Sequence, residues 1–201
     1  AAEIYNYYKE QGWKYQQYIA CLDPLGEDRG KTPYALNPEQ YGMFLTELFN
    51  LWYEDWKKGE QPYIRQFENY IGILLGYQPE SCEQRGSCGI QNVVEADGSV
   101  YPCDFYALDE YKLGNFNCNR LEEIDKKRKE IAFVEQSQIV AENCKNCKFY
   151  KICKGGCRRN KDFNAMNGEY ENYFCKSYRI FFDICLERMI QIVEIIKNQK
   201  G

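Results

Sequence analysis

The 201-residue sequence contains no histidine and no long apolar run. No segment approaches the roughly 18 consecutive apolar residues of a membrane span. The first residues have neither the basic start nor the apolar stretch of a signal peptide, so we expect a cytoplasmic protein without a membrane partner. The formal net charge of −4 provides no basic face for broad nucleic-acid binding, so nucleic acid is not an expected partner either.

Cysteine, in contrast, is abundant, with 11 residues. Disulfides usually staple small secreted domains whose cores are insufficient, whereas this chain is 44% hydrophobic and long enough for a proper core. The odd number of cysteines also argues against a disulfide scaffold. Clustered cysteines in a reducing compartment more often bind metal, and this is the interpretation we adopt.

The beginning of the chain has the pattern of a helix followed by a strand. Residues 1–12 are predicted to be helical, with Ile4, Tyr7 and Tyr8 on one side. Residues 13–22 are aromatic and β-branched, which predicts a strand. A helix followed by a strand is typical of the end of an α/β unit.

Two helices are predicted next. Asn37 is placed to cap the first, with Pro38 at the first helical position and Gln40 completing a capping box. Aromatic and aliphatic residues then recur at helical spacing across 41–56, which indicates a face packed on the core. A second, shorter helix is predicted over residues 64–75.

The second half of the chain begins with a hairpin. Residues 88–106 form two short strands around Asp97-Gly98, a pair that favours a tight turn. Asn119 is predicted to cap a further helix, and residues 173–197 form a long amphipathic last helix. Together the segments predict an α+β fold.

The densest cysteine run reads Cys-x2-Cys-x5-Cys-x3-Cys from Cys144 to Cys157. Eight cysteines suffice for two sites of four thiolates each. If the last cysteine of the run crosses to the other site, as in two-cluster ferredoxins, two groups result. One contains Cys144, Cys147, Cys153 and Cys175, and the other Cys82, Cys88, Cys103 and Cys157. Zinc and iron–sulfur both suit four thiolates, but a single clean Cys-x2-Cys pair favours iron–sulfur.

The remaining cysteines are interpreted as structural. Cys185 lies on the apolar face of the last helix, where a thiol behaves as a small hydrophobe. Cys21, near the end of the predicted strand, lacks a partner at ligand spacing and is predicted to be a packing residue. Cys118 has no assigned role. For Arg158 and Arg159 a solvated surface is the default expectation.

The cysteine spacing resembles that of a known domain. Cys88-x9-Gly98-x4-Cys103, then the run from Cys144 to Cys157, then Cys175, is similar to the SPASM domain of radical S-adenosylmethionine enzymes. Over essentially the whole chain, the sequence further resembles the clostridial cysteine-type anaerobic sulfatase-maturating enzymes. The segments that carry this resemblance are 18–26, 37–56, 87–106 and 144–159.

The sequence departs from that family in one respect. It has no Cys-x3-Cys-x2-Cys motif, since Asn160 stands where a run starting at Cys153-x3-Cys157 would need its third cysteine. The chain therefore resembles the C-terminal half only, a fragment expected to be inactive alone. The implied domains are the end of a partial (β/α)6 barrel (1–36), a helical linker (37–81) and a SPASM domain with two 4Fe–4S clusters and a C-terminal helix (82–201).

The resemblance implies an oxidoreductase. The full-length enzyme would use S-adenosylmethionine and a third 4Fe–4S cluster to oxidise an active-site Cys or Ser of a sulfatase to Cα-formylglycine. Its partners would be the sulfatase polypeptide and an external electron donor such as flavodoxin or ferredoxin. The alternatives are another SPASM-type peptide-modifying enzyme and a non-enzymatic zinc-binding interaction module.

Two further site residues follow from the resemblance. Asp104 directly follows Cys103 and is implied to be the catalytic base; partial desolvation beside a thiolate cluster would suit it to that role. Leu22 ends the predicted strand and is implied to contact S-adenosylmethionine. The competing interpretations are a turn aspartate and an ordinary core leucine.

Overall fold

A computed structural model describes residues 1–199. The helices are α1 Ala2–Glu10, α2 Pro38–Trp56, α3 Arg65–Leu74, α4 Cys82–Arg85, α5 Leu121–Glu130, α6 Phe133–Ser137, α7 Glu142–Lys145, α8 Tyr150–Cys153 and α9 Cys175–Gln199. The strands are β1 Tyr15–Gln16, β2 Tyr63–Ile64, β3 Val93–Val94, β4 Ser99–Tyr101, β5 Gly114–Asn115, β6 Lys161–Asn164 and β7 Glu169–Asn172. Within residues 1–199, no helix combines the length and apolar character needed to cross a membrane.

The helical body consists of α1, α2, α3 and α9. The predicted capping box at the start of α2 is confirmed: Asn37 Oδ1 accepts from the Gln40 N–H at 2.8 Å, and Gln40 Oε1 accepts from the Asn37 N–H at 3.3 Å. The aromatic stripe of α2 packs against α3 and α9, as predicted. Gly42 allows the close approach of α2 and α9, because a Cβ there would lie 3.0 Å from Ser177 Cα.

The thiol region, residues 82–172, has shorter elements. β3, β4 and β5 form an antiparallel sheet in which Val94 faces Val100 and Val100 faces Gly114. The predicted turn is confirmed, with Gly98 at φ +84°, a conformation that glycine adopts without strain. β6 and β7 form a separate hairpin. The sheet and α5 enclose a small buried cluster of Val100, Leu113 and Ile124.

Two predictions for the start of the chain need correction. Only Tyr15–Gln16 of the predicted strand 13–22 is extended and paired, in parallel with Tyr63–Ile64. Residues 2–10 are helical as predicted, but Ile4 and Tyr7 are exposed and Tyr5 is the buried residue. The reason is tertiary, since the Tyr5 hydroxyl donates to Asp55 Oδ2 of α2 at 2.7 Å.

The start of α5 differs by one residue from the prediction. Arg120 is the capping residue, and its N–H donates to Glu123 Oε2 at 2.8 Å. Asn119 instead accepts from the Asn115 N–H at 2.9 Å. The cap is displaced because the side chain of Asn119 closes the turn after β5.

Candidate metal centres and the adjoining cleft

The first thiol group consists of Cys82, Cys88, Cys103 and Cys157. Burial raises the pKa of Cys88, and the Cys82 thiol raises it further. Burial, the Asp104 carboxylate and the Cys88 thiol raise the pKa of Cys103 to about 12. Burial also raises the pKa of Cys157, the Glu83 carboxylate raises it further, and Cys82 and Cys88 add smaller contributions. The four cysteines come from α4, two loops and the end of the hairpin, and each thiol acts electrostatically on, or is acted on by, at least one other of the four.

The second thiol group consists of Cys144, Cys147, Cys153 and Cys175. Burial raises the pKa of Cys144, and Cys175 and Cys147 add to the rise. The pKa of Cys153 rises to about 12 through burial, with contributions from Cys144 and Cys175. Burial and the Cys147 thiol raise the pKa of Cys175. These cysteines belong to α7, the segment between α7 and α8, α8 itself and the first residue of α9.

The leading thiol–thiol effects join cysteines within the same set of four. Within residues 1–199, no set of three or more His, Cys, Asp or Glu side chains is arranged to hold a single metal ion. A tetrahedral zinc with Zn–S bonds of about 2.3 Å would draw its sulfurs to within about 4 Å of each other. A cubane carries its own iron and sulfide atoms, so its thiolates surround a larger body. Four cysteines in each set are a donor set that an iron–sulfur cluster accepts.

Backbone amides also point at the sulfurs. The Arg159 N–H donates to Cys157 Sγ at 3.4 Å, and the amides of Phe105 and Gly155 hydrogen-bond to Cys103 and Cys153. N–H groups directed at sulfur stabilise the charged thiolate, the form that binds metal. Both thiol groups therefore have the chemistry of cluster ligands.

A cleft of about 910 Å³ opens beside the first thiol group. Its walls include residues 17–24, α4 and the segment that follows β4. Cys82, Cys157, Asp104 and Leu22 all line it. The structure thus brings both residues singled out by the resemblance to the same cleft as two proposed ligands.

The environment of Asp104 differs from the expectation in one respect. Its side chain is exposed, so the expected partial desolvation is not seen. The Cys103 Sγ lies 3.1 Å from Asp104 Oδ1, within hydrogen-bonding distance. Leu22 is half-buried and packs against the main core while it lines the cleft, so it has features of both interpretations.

The three cysteines outside the two groups differ in their exposure to solvent. Cys185 is fully buried on α9, as predicted. Cys21 is exposed and lines the cleft, so the prediction that it is a packing residue is wrong. The physical reason is that residues 17–22 form an extended cleft wall and not a regular core strand. Cys118 is exposed.

The expectation that Arg158 and Arg159 are solvated is also wrong. Arg159 is only 8% exposed and its guanidinium donates to the Asp23 carbonyl. Arg158 lies over the ring of Phe133 at 4.5 Å and donates to its carbonyl at 2.8 Å. Both arginines are held by contacts with segments distant in sequence, and nothing in the local sequence predicted this.

Sequence reasoning missed the contacts that fix the loop of residues 23–33. Asp23 is buried and accepts from the Gly30 N–H, the Thr32 N–H and the Thr32 hydroxyl at 2.6 to 2.8 Å. Burial raises the pKa of Asp23, but these hydrogen bonds outweigh it and hold the value at about 2. Arg29 from the same loop forms a bidentate pair with Asp162 of β6. The loop is thereby attached to the thiol region.

Two residues that line the cleft carry buried polar atoms without a protein partner. Gln66 donates through Nε2 to the Tyr41 hydroxyl at 3.3 Å, whereas its Oε1 is unpartnered. Arg159 likewise has an unpartnered Nη1. Buried polar atoms are normally satisfied, so this part of the molecule is suited to a polar ligand.

Comparison with known proteins agrees with this description. Residues 82–148 match SPASM, described as an iron–sulfur cluster-binding domain. The cysteine-type anaerobic sulfatase-maturating enzyme of Clostridium perfringens (strain 13 / Type A) is 45% identical over 97% of this chain and 53% of its own length. The serine-type enzyme of Bacteroides thetaiotaomicron is 29% identical over 99% of this chain and 51% of its own length.

A solved structure described as native anSMEcpe with bound AdoMet and Cp18Cys peptide superposes with a TM-score of 0.89 at 42% identity. The match covers 97% of this chain and 54% of that one. The chain thus spans about half the length of the curated relatives that it matches.

Proposed function

We propose that this chain, which is 45% identical to a cysteine-type anaerobic sulfatase-maturating enzyme over 97% of its residues, is the C-terminal part of a radical S-adenosylmethionine oxidoreductase of that kind. The whole enzyme would oxidise an active-site Cys or Ser of a sulfatase to Cα-formylglycine. The observation that carries the proposal is a single cleft lined by Cys82, Cys157, Asp104 and Leu22.

Each thiol group would hold one 4Fe–4S cluster. The first would use Cys82, Cys88, Cys103 and Cys157, and the second Cys144, Cys147, Cys153 and Cys175. When bound, such clusters supply one-electron transfer at potentials set by their surroundings. S-adenosylmethionine, a third cluster and an external electron donor such as flavodoxin or ferredoxin would complete the system.

Leu22 is proposed to contact S-adenosylmethionine from the cleft wall. The proposed domains are a barrel end (1–36), a helical linker (37–81) and a SPASM domain (82–201), whose last two residues lie outside the described part. We also propose that the chain is inactive alone, because it lacks the Cys-x3-Cys-x2-Cys motif.

Asp104 is proposed as the base that takes the proton from the substrate thiol or hydroxyl. Its exposure on the cleft allows a substrate to reach it. In the protein alone, the Cys103 thiol lies within hydrogen-bonding distance of Asp104 Oδ1. A metal-bound thiolate has no proton to donate, so ligation of Cys103 would leave the carboxylate free to accept one from the substrate.

The test is D104N in the full-length protein, with D109N on the next exposed turn as the matched control. Formylglycine formation on a Cys-containing sulfatase peptide would be followed by mass spectrometry. A lost general base should lower turnover by about 10²- to 10⁴-fold, while D109N stays near wild type. Wild-type turnover by D104N with full iron content would remove Asp104 from the mechanism.

Metal analysis tests the cluster assignment separately. Anaerobically purified full-length protein should contain enough iron and sulfide for three clusters, the two proposed here and the third that binds S-adenosylmethionine. It should also show the broad brown absorbance of iron–sulfur proteins. Two bound zinc ions without iron would instead favour the zinc-binding module. If the protein modified a different peptide and formed no formylglycine, another SPASM-type enzyme would be favoured.

A further inference from the structure

Lys161, the first residue of β6, lies beside the segment that joins Cys153 to Cys157. Its side chain is half-buried, and Nζ donates to the carbonyls of Ser137 at 2.7 Å and Ile139 at 3.0 Å. Two neutral carbonyls do not neutralise an ammonium ion. The charge is therefore held in place by the fold and remains available to act on its surroundings.

Lys161 is connected to the first thiol group through Ser137. Ser137, which accepts from Lys161 through its carbonyl, also accepts the Cys88 N–H on its hydroxyl oxygen at 2.8 Å. A single residue therefore separates the Lys161 ammonium from the backbone of a proposed ligand.

The stem of Lys161 passes the peptide that connects the two groups. A Cβ built on Gly155 would lie 4.0 Å from Lys161 Cε, and Gly155 stands midway between Cys153 of the second group and Cys157 of the first. Asn172, the strand partner of Lys161, donates to the Gly155 carbonyl at 2.9 Å and fixes this approach.

The electrostatic effects on Lys161 also come from both thiol groups. Burial lowers the pKa of Lys161, and Cys144, Cys157, Cys88 and Cys153 oppose the decrease, two from each group. Arg179 provides a contrast, because its charge lowers the pKa of Cys175 in the second group. It lies exposed on α9.

We propose that Lys161 is a shared electrostatic partner of the two cluster sites and raises the reduction potentials of both together. The inference rests on the proposed function, since it requires a cluster in each thiol group. One-electron reduction adds negative charge to a cluster that four thiolates already make anionic. A fixed ammonium beside it stabilises the reduced form, and this ammonium is placed to act on both clusters at once.

The experiment compares K161Q, K161R and R179Q in the full-length protein, loaded with iron and sulfide under anaerobic conditions. Midpoint potentials would be measured by dithionite titration monitored by electron paramagnetic resonance. In K161Q, which keeps a hydrogen-bond donor but loses the charge, both auxiliary potentials should shift to more negative values. K161R should stay close to wild type, and R179Q should shift mainly the cluster of the second group.

The outcomes separate the inference from its premise. A fully loaded K161Q in which one potential or neither moves would overturn the shared role. Iron loss in K161Q but not in K161R would support a requirement for the charge, whereas equal loss in both would make Lys161 a structural residue and overturn the inference. A wild-type protein without iron would instead contradict the proposed function.

Discussion

The helical body and the thiol region differ in how much apolar surface they bury. The core of the helical body, to which α8 also contributes, contains 20 buried residues, including Trp52 and Phe181. The cluster within the sheet of the thiol region contains three, and the strands around it are two or three residues long. Apolar burial is the main force that stabilises folded chains, so the thiol region needs another source of stability. Two metal clusters would supply it, because metal binding to a site that exists only in the folded state contributes directly to folding.

The largest expected effect follows from removing the clusters. Chelation of iron from the full-length protein should greatly reduce amide protection across residues 82–172, while α2, α3 and the apolar part of α9 keep theirs. Hydrogen exchange read by mass spectrometry before and after chelation would measure both regions in one sample. C118S, which changes an exposed cysteine outside both groups, should behave as wild type. If the amides of residues 82–172 were equally protected with and without iron, the thiol region would not depend on clusters for its stability.

A smaller effect is expected from the core of the helical body. Phe181 is fully buried, and its ring centroid lies 5.9 Å from each of the rings of Phe49, Phe67 and Tyr70. F181A should lower the free energy of unfolding by about 3–5 kcal/mol through lost burial and a cavity. The control is I184A on the same helix, where the side chain is 53% exposed and the change should stay within about 0.5 kcal/mol. Denaturant titration would measure both, and similar values for the two variants would show that α9 is not the centre of the core.

The smallest expected effect concerns the loop that joins the two regions. The folded pKa of Asp23 is about 2, below its ordinary value of 3.8, so its stabilising contribution is complete above about pH 4 and is lost as pH falls towards 2. D23N removes this contribution at neutral pH. The difference in melting temperature between wild type and D23N should therefore shrink as pH falls through this range. D28N, at an exposed position of the same loop, should show little difference from wild type. A pH-independent difference for D23N would mean that shape, and not charge, makes Asp23 important.

Local patterns were read correctly where a single segment contains all the necessary information. The cap at Asn37, the turn at Gly98, the core face of α2 and the extent of α9 depend on residues within one or two turns of each other. Propensity, capping and periodicity act over that distance. The same reasoning chose the wrong face of α1, because Tyr5 is oriented by Asp55, 50 residues away.

Cysteine spacing alone determined that this chain carries two potential sites of four thiolates, because the number and intervals of ligands are properties of the sequence. Only the tertiary structure decided that Arg159 is buried, that Cys21 and Asp104 face one cleft, and that Lys161 donates to the Ser137 carbonyl. Those features depend on how separate elements pack. A charged side chain becomes buried only when distant segments close around it, and no local pattern records that event.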